Sequence, residues 1–408
     1  VVSMKKRAVT IVLCLALVLF SLLRTYAEAE VPAADPAEVQ DTPRGIVAAG
    51  VNNFDLPCAA AILIDEDSGT VLYEKNADEQ RPIASITKVM TLLLTFQALE
   101  AGKISLDDYV PVSAHAYSMG GSQIWLEPGE QMTLNDMLKA ICVSSANDAA
   151  VAVAEYVGGS EPAFVQMMND MAAQLGMTAT HFENACGLDQ EGHLSSARDV
   201  ATMSREMLLN HTEVRDYCSI WTDTLRQGAT QLVNTNKLLK SYTGITGLKT
   251  GTTSKAGVCI SASAERDGLR LIAVVLGAAS GKERFEAATT LLDYGFANYK
   301  NVTAELPSDA PQTLAVHRGT QDAVALQYDA PQKCLMPKDE TDTLQVTVEL
   351  PEMVEAPVTE GMQVGTVRLA NGERELQTFS ITAAQNVDAL SFGYCFGLLV
   401  QSLVLCDG

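Results

Sequence analysis

Histidine is scarce in this chain of 408 residues: there are five, and none stands in an H-E-x-x-H pattern. Zinc-hydrolase chemistry of that kind is therefore excluded. Cysteine occurs nine times, but no two cysteines form a C-x-x-C pair or a metal-type spacing. Several lie in apolar runs, as ordinary buried thiols do, and their spacing selects no disulfide pair. Basic residues are also few: 28 Lys and Arg stand against 50 Asp and Glu, for a net charge of −22. So acidic a chain is a poor partner for nucleic acid. There is no low-complexity tract, and Gly and Pro are not in excess, so disorder is not the default. No metal or organic cofactor is implied.

What is present suffices for two packed domains: 408 residues, 47% of them hydrophobic. The chain starts with a basic cluster, Lys5, Lys6 and Arg7, then an almost unbroken apolar run from Ala8 to Leu23. Ala27-Glu28-Ala29 offers small residues where a signal peptidase reads, so residues 1–29 are expected to be a signal peptide. The alternative is a retained membrane anchor. Residues 30–52, rich in Ala, Pro, Glu and Asp, read as a linker. Residues 53–301 read as an α+β domain. A hairpin (Ala59 to Ile64, then Val71 to Tyr73) precedes helices over Ser85 to Gly102, Met132 to Val157, Ala163 to Leu175 and Ala197 to Asn210. Strands from Gly247 to Gly277 and a helix over Glu283 to Tyr299 end it. Residues 302–386 carry short alternating runs split by Gly, Pro and Asp, the pattern of a small all-β domain. Residues 388–408 end the chain in an apolar stretch, a membrane-associating tail near the lower length limit for spanning a bilayer.

Three short patterns carry chemistry. Ser85-Ile86-Thr87-Lys88 is an S-x-x-K at a helix start. Positions i and i+3 share a helix face, so Lys88 lies beside Ser85. Serine is a weak nucleophile until a base takes its proton, and a buried lysine near another cation has the lowered pKa for that task. Ser145-Ala146-Asn147 falls at a break between helices, where a hydroxyl can relay a proton and an amide can hold a carbonyl. Lys249-Thr250-Gly251, followed by Thr252, heads a strand: a cation and hydroxyls for a carboxylate, and a glycine that lets substrate lie close to the strand edge. Each pattern alone is weak, and each recurs in surface turns and strand starts. In this order and spacing they form a signature of penicillin-binding proteins and class A β-lactamases.

The chain resembles the low-molecular-mass D-alanyl-D-alanine carboxypeptidases of peptidase family S11, over nearly its whole length after the linker. Arg81 to Thr91 resembles the family's nucleophile segment, Phe182 to Asp189 its F-x-N-x-x-G-L-D, and Gly247 to Thr253 its third box. Ser195 to Asp199 and Ala356 to Gly365 are similar too. Cys186 departs from the pattern, since many members carry His there. The resemblance implies a β-lactamase/transpeptidase-like catalytic domain followed by a small all-β domain. It implies an enzyme that removes the terminal D-alanine from peptidoglycan stem peptides ending in D-Ala-D-Ala, and that β-lactam antibiotics acylate. Ser85 would attack, Lys88 would take its proton, and Ser145 would pass a proton to the departing D-alanine. Asn147 would orient the peptide, while Lys249, Thr250 and Thr252 would hold its carboxylate. Backbone N–H groups of Ser85 and Thr252 would form the oxyanion hole. It also implies export, with attachment to the outer face of the cytoplasmic membrane. A D,D-endopeptidase is the nearest alternative. A β-lactamase is disfavoured by S-A-N in place of S-D-N, by the lack of a glutamate motif for a deacylating water, and by the appended β domain. An inactive wall-binding scaffold that retains the motifs is the remaining reading.

Overall fold

The structure is a computed structural model that describes residues 55–405, apart from 304, 330–332, 340–343 and 373. The expected signal peptide and linker lie outside the described residues. The first domain is built on five antiparallel strands: β1 (Ala60–Asp65), β2 (Val71–Lys75), β3 (Ile245–Thr253), β4 (Gly257–Arg266) and β5 (Leu269–Ala278). Their spatial order is β2-β1-β5-β4-β3. Both ends of the segment thus meet in one sheet, with Ile62 of β1 opposite Val274 of β5.

The inner strands are buried almost end to end because both faces are covered. Successive side chains alternate between those faces. Ile62, Ile64, Ile272, Val274 and Leu276 join the core of the helical region. Ala61, Leu63, Leu271, Ala273 and Val275 instead meet Ala288, Leu291 and Leu292, which lie on the helix Gly281–Asn298. In the helical region, α1 (Lys88–Glu100) is buried from Lys88 through Phe96, so it is apolar nearly all round. Around it stand α2 (Asn147–Gly158), α3 (Glu161–Gln174) and α4 (Ala197–Asn210). The last starts where Ser196 Oγ accepts the Asp199 N–H at 3.1 Å, a cap worth about 1 kcal/mol.

The second domain is all β. Its main sheet has six strands in the order Leu344–Glu349, Gln363–Asn371, Arg374–Ala383, Ala323–Tyr328, Thr313–His317 and Met353–Glu355. Val324, Val367, Leu369, Ile381 and Val387 are buried at its centre. Tyr299–Val302, which follows the last helix of the first domain, pairs with Cys334–Pro337. A terminal helix, Phe392–Leu405, carries Phe392, Phe396 and Leu398 exposed to solvent. At 14 residues it is about 21 Å long, short of a hydrocarbon core of about 30 Å. Among the described residues no helix is long and apolar enough to cross a membrane.

Candidate active site

The three patterns converge at the edge strand β3. Ala84–Thr87 forms a single 3₁₀ turn that runs straight into α1. This turn leaves Ser85 partly exposed and buries Lys88 completely. Lys88 Nζ lies 2.9 Å from Ser85 Oγ, 2.6 Å from Asn147 Oδ1 and 2.6 Å from the Cys186 carbonyl oxygen. Two of these partners are carbonyl oxygens, which only accept. A neutral amine therefore spends both N–H groups on them, and its lone pair faces the Ser85 hydroxyl. Burial pushes Lys88 down to about 8, against the opposing pull of the Cys186 thiol and the Asp148 carboxylate.

Ser145 is placed by a π-helical turn, Ala140–Ser144, which it closes in the left-handed conformation (φ 62°, ψ 31°). Such irregular turns recur at functional sites because they re-aim a side chain without ending the helix stack. Two residues on, Asn147 opens α2, and its Nδ2 donates to the Gly120 carbonyl at 2.7 Å. The amide is thus held at both ends, by Lys88 and by Gly120. Lys249, inside β3, donates to Ser145 Oγ at 2.8 Å and to the Thr250 carbonyl at 2.9 Å. Burial and the nearby charge of Lys88 hold Lys249 down at about 7. Thr250 Oγ1 is 2.6 Å from Thr235 Oγ1, whereas Thr252 is exposed on the strand end. All eight residues singled out from the sequence therefore lie in one cleft between the nucleophile turn, the Ser145 turn and β3.

Gly251 also has a structural reason within the protein itself. A Cβ on it would lie 2.9 Å from both the Ser85 nitrogen and the Ile83 oxygen. The missing side chain thus lets β3 press against the nucleophile turn itself.

The segment Phe182–Leu194 contributes more than its motif suggested. Asn184 Oδ1 accepts the N–H groups of Gly187 at 2.7 Å and Leu188 at 3.1 Å, cinching a tight loop. That loop presents the Cys186 carbonyl to Lys88. Gly187 (φ +85°) lies so near Ala84 that any side chain would overlap the Ala84 carbonyl. Asp189 accepts from Thr253 Oγ1 at 2.6 Å and so ties the loop to the end of β3. Asp148, next to Asn147, receives the N–H groups of Ile124 and Leu126 at 3.2 and 3.1 Å. None of these roles is readable from residue type alone; the clue available in the sequence was the clustering of Asn184, Gly187 and Asp189 in one short motif.

The profile of the D-alanyl-D-alanine carboxypeptidase family matches residues 48–280, and that of the penicillin-binding protein 5 C-terminal domain matches residues 305–389. The chain is 40% identical over 337 residues to the D-alanyl-D-alanine carboxypeptidase DacF of Bacillus subtilis, covering 82% of this chain and 86% of the relative. It is 35% identical to DacC of Escherichia coli over 82% of this chain and 85% of the relative. Among solved structures, penicillin-binding protein 5 from Haemophilus influenzae superposes with a TM-score of 0.75 at 30% identity, over 83% of this chain and all of that one. The catalytic cleft, the sheet that carries it and the appended β domain thus agree with one another: the chain belongs to the D-alanyl-D-alanine carboxypeptidase family.

Proposed function

We propose that this protein is a serine D-Ala-D-Ala carboxypeptidase that trims peptidoglycan stem peptides through an ester on Ser85, and that β-lactams are trapped on the same oxygen. The observation that carries this reading is the three-way seat of Lys88, whose third vertex faces Ser85 Oγ at 2.9 Å. Neutral Lys88 takes the Ser85 proton as the oxygen attacks the carbonyl of the penultimate D-alanine. The developing oxyanion lies between the N–H groups of Ser85 and Thr252. Ser145 passes a proton to the departing amine: it gives its own, and the Lys88 ammonium, which holds the Ser85 proton, replaces it and returns to the neutral amine. Ser145 is free to do so because the bond at 2.8 Å from Lys249 occupies only an acceptor position on its oxygen. Lys249, Thr250 and Thr252 pair with the terminal carboxylate, and Asn147 orients the peptide. Water then hydrolyses the ester. The domain limits fit this division of labour: residues 53–301 do the chemistry, and residues 302–386 form the β domain.

The fate of the ester separates this reading from a β-lactamase. A penicilloyl group keeps its ring in place and blocks the path of water, whereas a peptidyl group loses D-alanine and opens it. The carboxylates around the pocket are otherwise engaged. Asp148 and Asp189 bind backbone and hydroxyl groups, and Glu161 binds the Ala185 N–H and His115. The expected result is a penicilloyl adduct on Ser85 that persists for minutes, beside continuing release of D-alanine from a pentapeptide. Each tenfold difference in deacylation needs only about 1.4 kcal/mol of barrier. Intact-mass analysis after a short penicillin pulse checks this. An adduct gone within seconds, with no D-alanine released, identifies a β-lactamase. Conversion of crosslinked dimers to monomers, with no D-alanine released from the pentapeptide, identifies the endopeptidase.

The membrane reading rests on the terminal helix. Phe392 and Phe396 stack at 6.0 Å on one side of it, and Phe392 is 86% exposed. No Lys or Arg interrupts residues 390–405. We place the exported enzyme on the outer face of the cytoplasmic membrane, with this helix lying in the lipid interface rather than spanning it. Ending the chain at Asn386 is expected to move the enzyme from the membrane fraction to the soluble one. Unchanged membrane recovery, with residues 1–29 shown to be cleaved, excludes the helix as the anchor.

A further inference from the structure

We propose that His193 is a positioning residue for acylation: acting through Thr87, it fixes the carbonyl of Ala84 and so sets the turn that presents Ser85 to Lys88. Neither residue has a part in the mechanism above. Thr87 is the unused third position of Ser85-Ile86-Thr87-Lys88, and His193 lies outside all three patterns. Both side chains are buried, and His193 Nε2 is 2.7 Å from Thr87 Oγ1 although 106 residues separate them.

The direction of the hydrogen bonds follows from the groups involved. The backbone N–H of Glu183 reaches His193 Nδ1 at 3.0 Å. An N–H only donates, so Nδ1 accepts and the ring proton resides on Nε2. Nε2–H then donates to Thr87 Oγ1, which leaves the threonine proton for the Ala84 carbonyl, 2.9 Å away. Burial holds His193 down at about 4, so the ring stays neutral and this order is kept across the working pH range. The Phe182 ring meets the imidazole edge-on with centroids 5.7 Å apart, which fixes its plane.

The chain of donors ends on a residue that needs holding. Ala84 has φ +50°, a left-handed conformation that side chains with a Cβ disfavour. Gly187 presses on the same carbonyl from the loop that also presents the Cys186 oxygen to Lys88. One loop therefore positions the base directly and the nucleophile through His193 and Thr87. A small displacement of either would misalign attack, which is where rate is most easily lost.

The test measures the acylation rate constant with a fluorescent penicillin, together with the dissociation constant of the preceding non-covalent complex and the melting temperature, on the full mature protein. His193→Ala and Thr87→Val are each expected to slow acylation roughly tenfold with non-covalent binding unchanged, and the double variant is expected to be no slower than either alone. His193→Gln restores a donor near Nε2, and Thr87→Ser restores the hydroxyl, so both are expected within about threefold of the parent. A merely structural histidine would lower the melting temperature in the Ala and Gln variants alike and leave the rate constant of the folded protein unchanged. Additive losses in the double variant, or a folded His193→Gln as slow as His193→Ala, overturn the proposal. If His193→Ala does not fold, the comparison of Thr87→Val, Thr87→Ser and His193→Gln decides. The inference rests on Ser85 being the nucleophile. An unlabelled parent protein refutes that reading, whereas a labelled parent with unaffected variants refutes only the role of His193.

Discussion

Ser85→Ala is expected to yield no covalent penicillin adduct and no release of D-alanine, with the fold intact. The result is not trivial, because the cleft holds two serine–lysine pairs of nearly equal length. Lys88 is 2.9 Å from Ser85, and Lys249 is 2.8 Å from Ser145. Three features select Ser85. Ser85 is partly exposed while Ser145 is buried, so the former is the one open to a carbonyl from solvent. Ser85 lies in the 3₁₀ turn that leads into α1, where the positive end of the helix favours an oxyanion. Lys88 also has its two carbonyl partners already in place, so its remaining vertex is committed to Ser85. Lys249 instead has one carbonyl partner, that of Thr250, beside its bond to Ser145. Mass spectrometry of Ser85→Ala after prolonged exposure to penicillin checks this. A persistent adduct mapping to Ser145 would transfer the nucleophile to the second pair.

Lys88→Ala is expected to slow acylation by about 10² to 10⁴, the usual cost of losing a positioned base. The loss also leaves Asn147 Oδ1 and the Cys186 carbonyl without their donor inside the protein. A pH series distinguishes the loss of the base from that disorder. Burial places Lys88 at about 8, so the parent enzyme gains neutral amine, and rate, as pH rises through that value. Below it the amine is protonated and cannot accept the serine proton. Lys249 opposes this trend: held at about 7 by burial and by Lys88, it loses the charge that binds the carboxylate as pH rises. A bound carboxylate raises it again. The profile of kcat/KM is therefore expected to be bell-shaped with its maximum between about pH 7 and 8, and that of kcat is expected to fall only at higher pH. Lys88→Ala should lose the rising limb. If the rising limb survives in the residual activity, another group is the base; if parent kcat/KM only falls from pH 5 to 8, the assignment of Lys88 is wrong.

The α+β class and the helices were legible because their signals are local. Ala197 to Asn210 follows Ser196 as a cap, and the structure begins and ends that helix at the same residues. The strands β4 and β5 are apolar runs on either side of Asp267-Gly268, and both are present. The pairing of Ser85 with Lys88 was legible for the same reason, since three residues along a helical turn fix their approach. The seats of Lys88 and Thr87 were not. Cys186 serves through its backbone oxygen, which has no residue-type signature, across 98 positions. His193 meets Thr87 across 106 positions, and a lone histidine in sequence names no partner.

Gly251 marks the boundary between the two kinds of information. As a glycine after Lys249 and Thr250 it signals a place where something must come close. The sequence could not say that this is the Ser85 turn, 2.9 Å from where a Cβ would be. The amino-acid order by itself determined the chemical groups, their family and the elements that bear them, because residue type, periodicity and capping act over a few positions. Only the tertiary structure decided which carbonyl seats the base, which hydroxyl the second lysine holds and which loop braces the nucleophile. Those contacts join chain segments about 60 to 100 residues apart, and closing such loops is determined by the packing of the whole core rather than by any local preference.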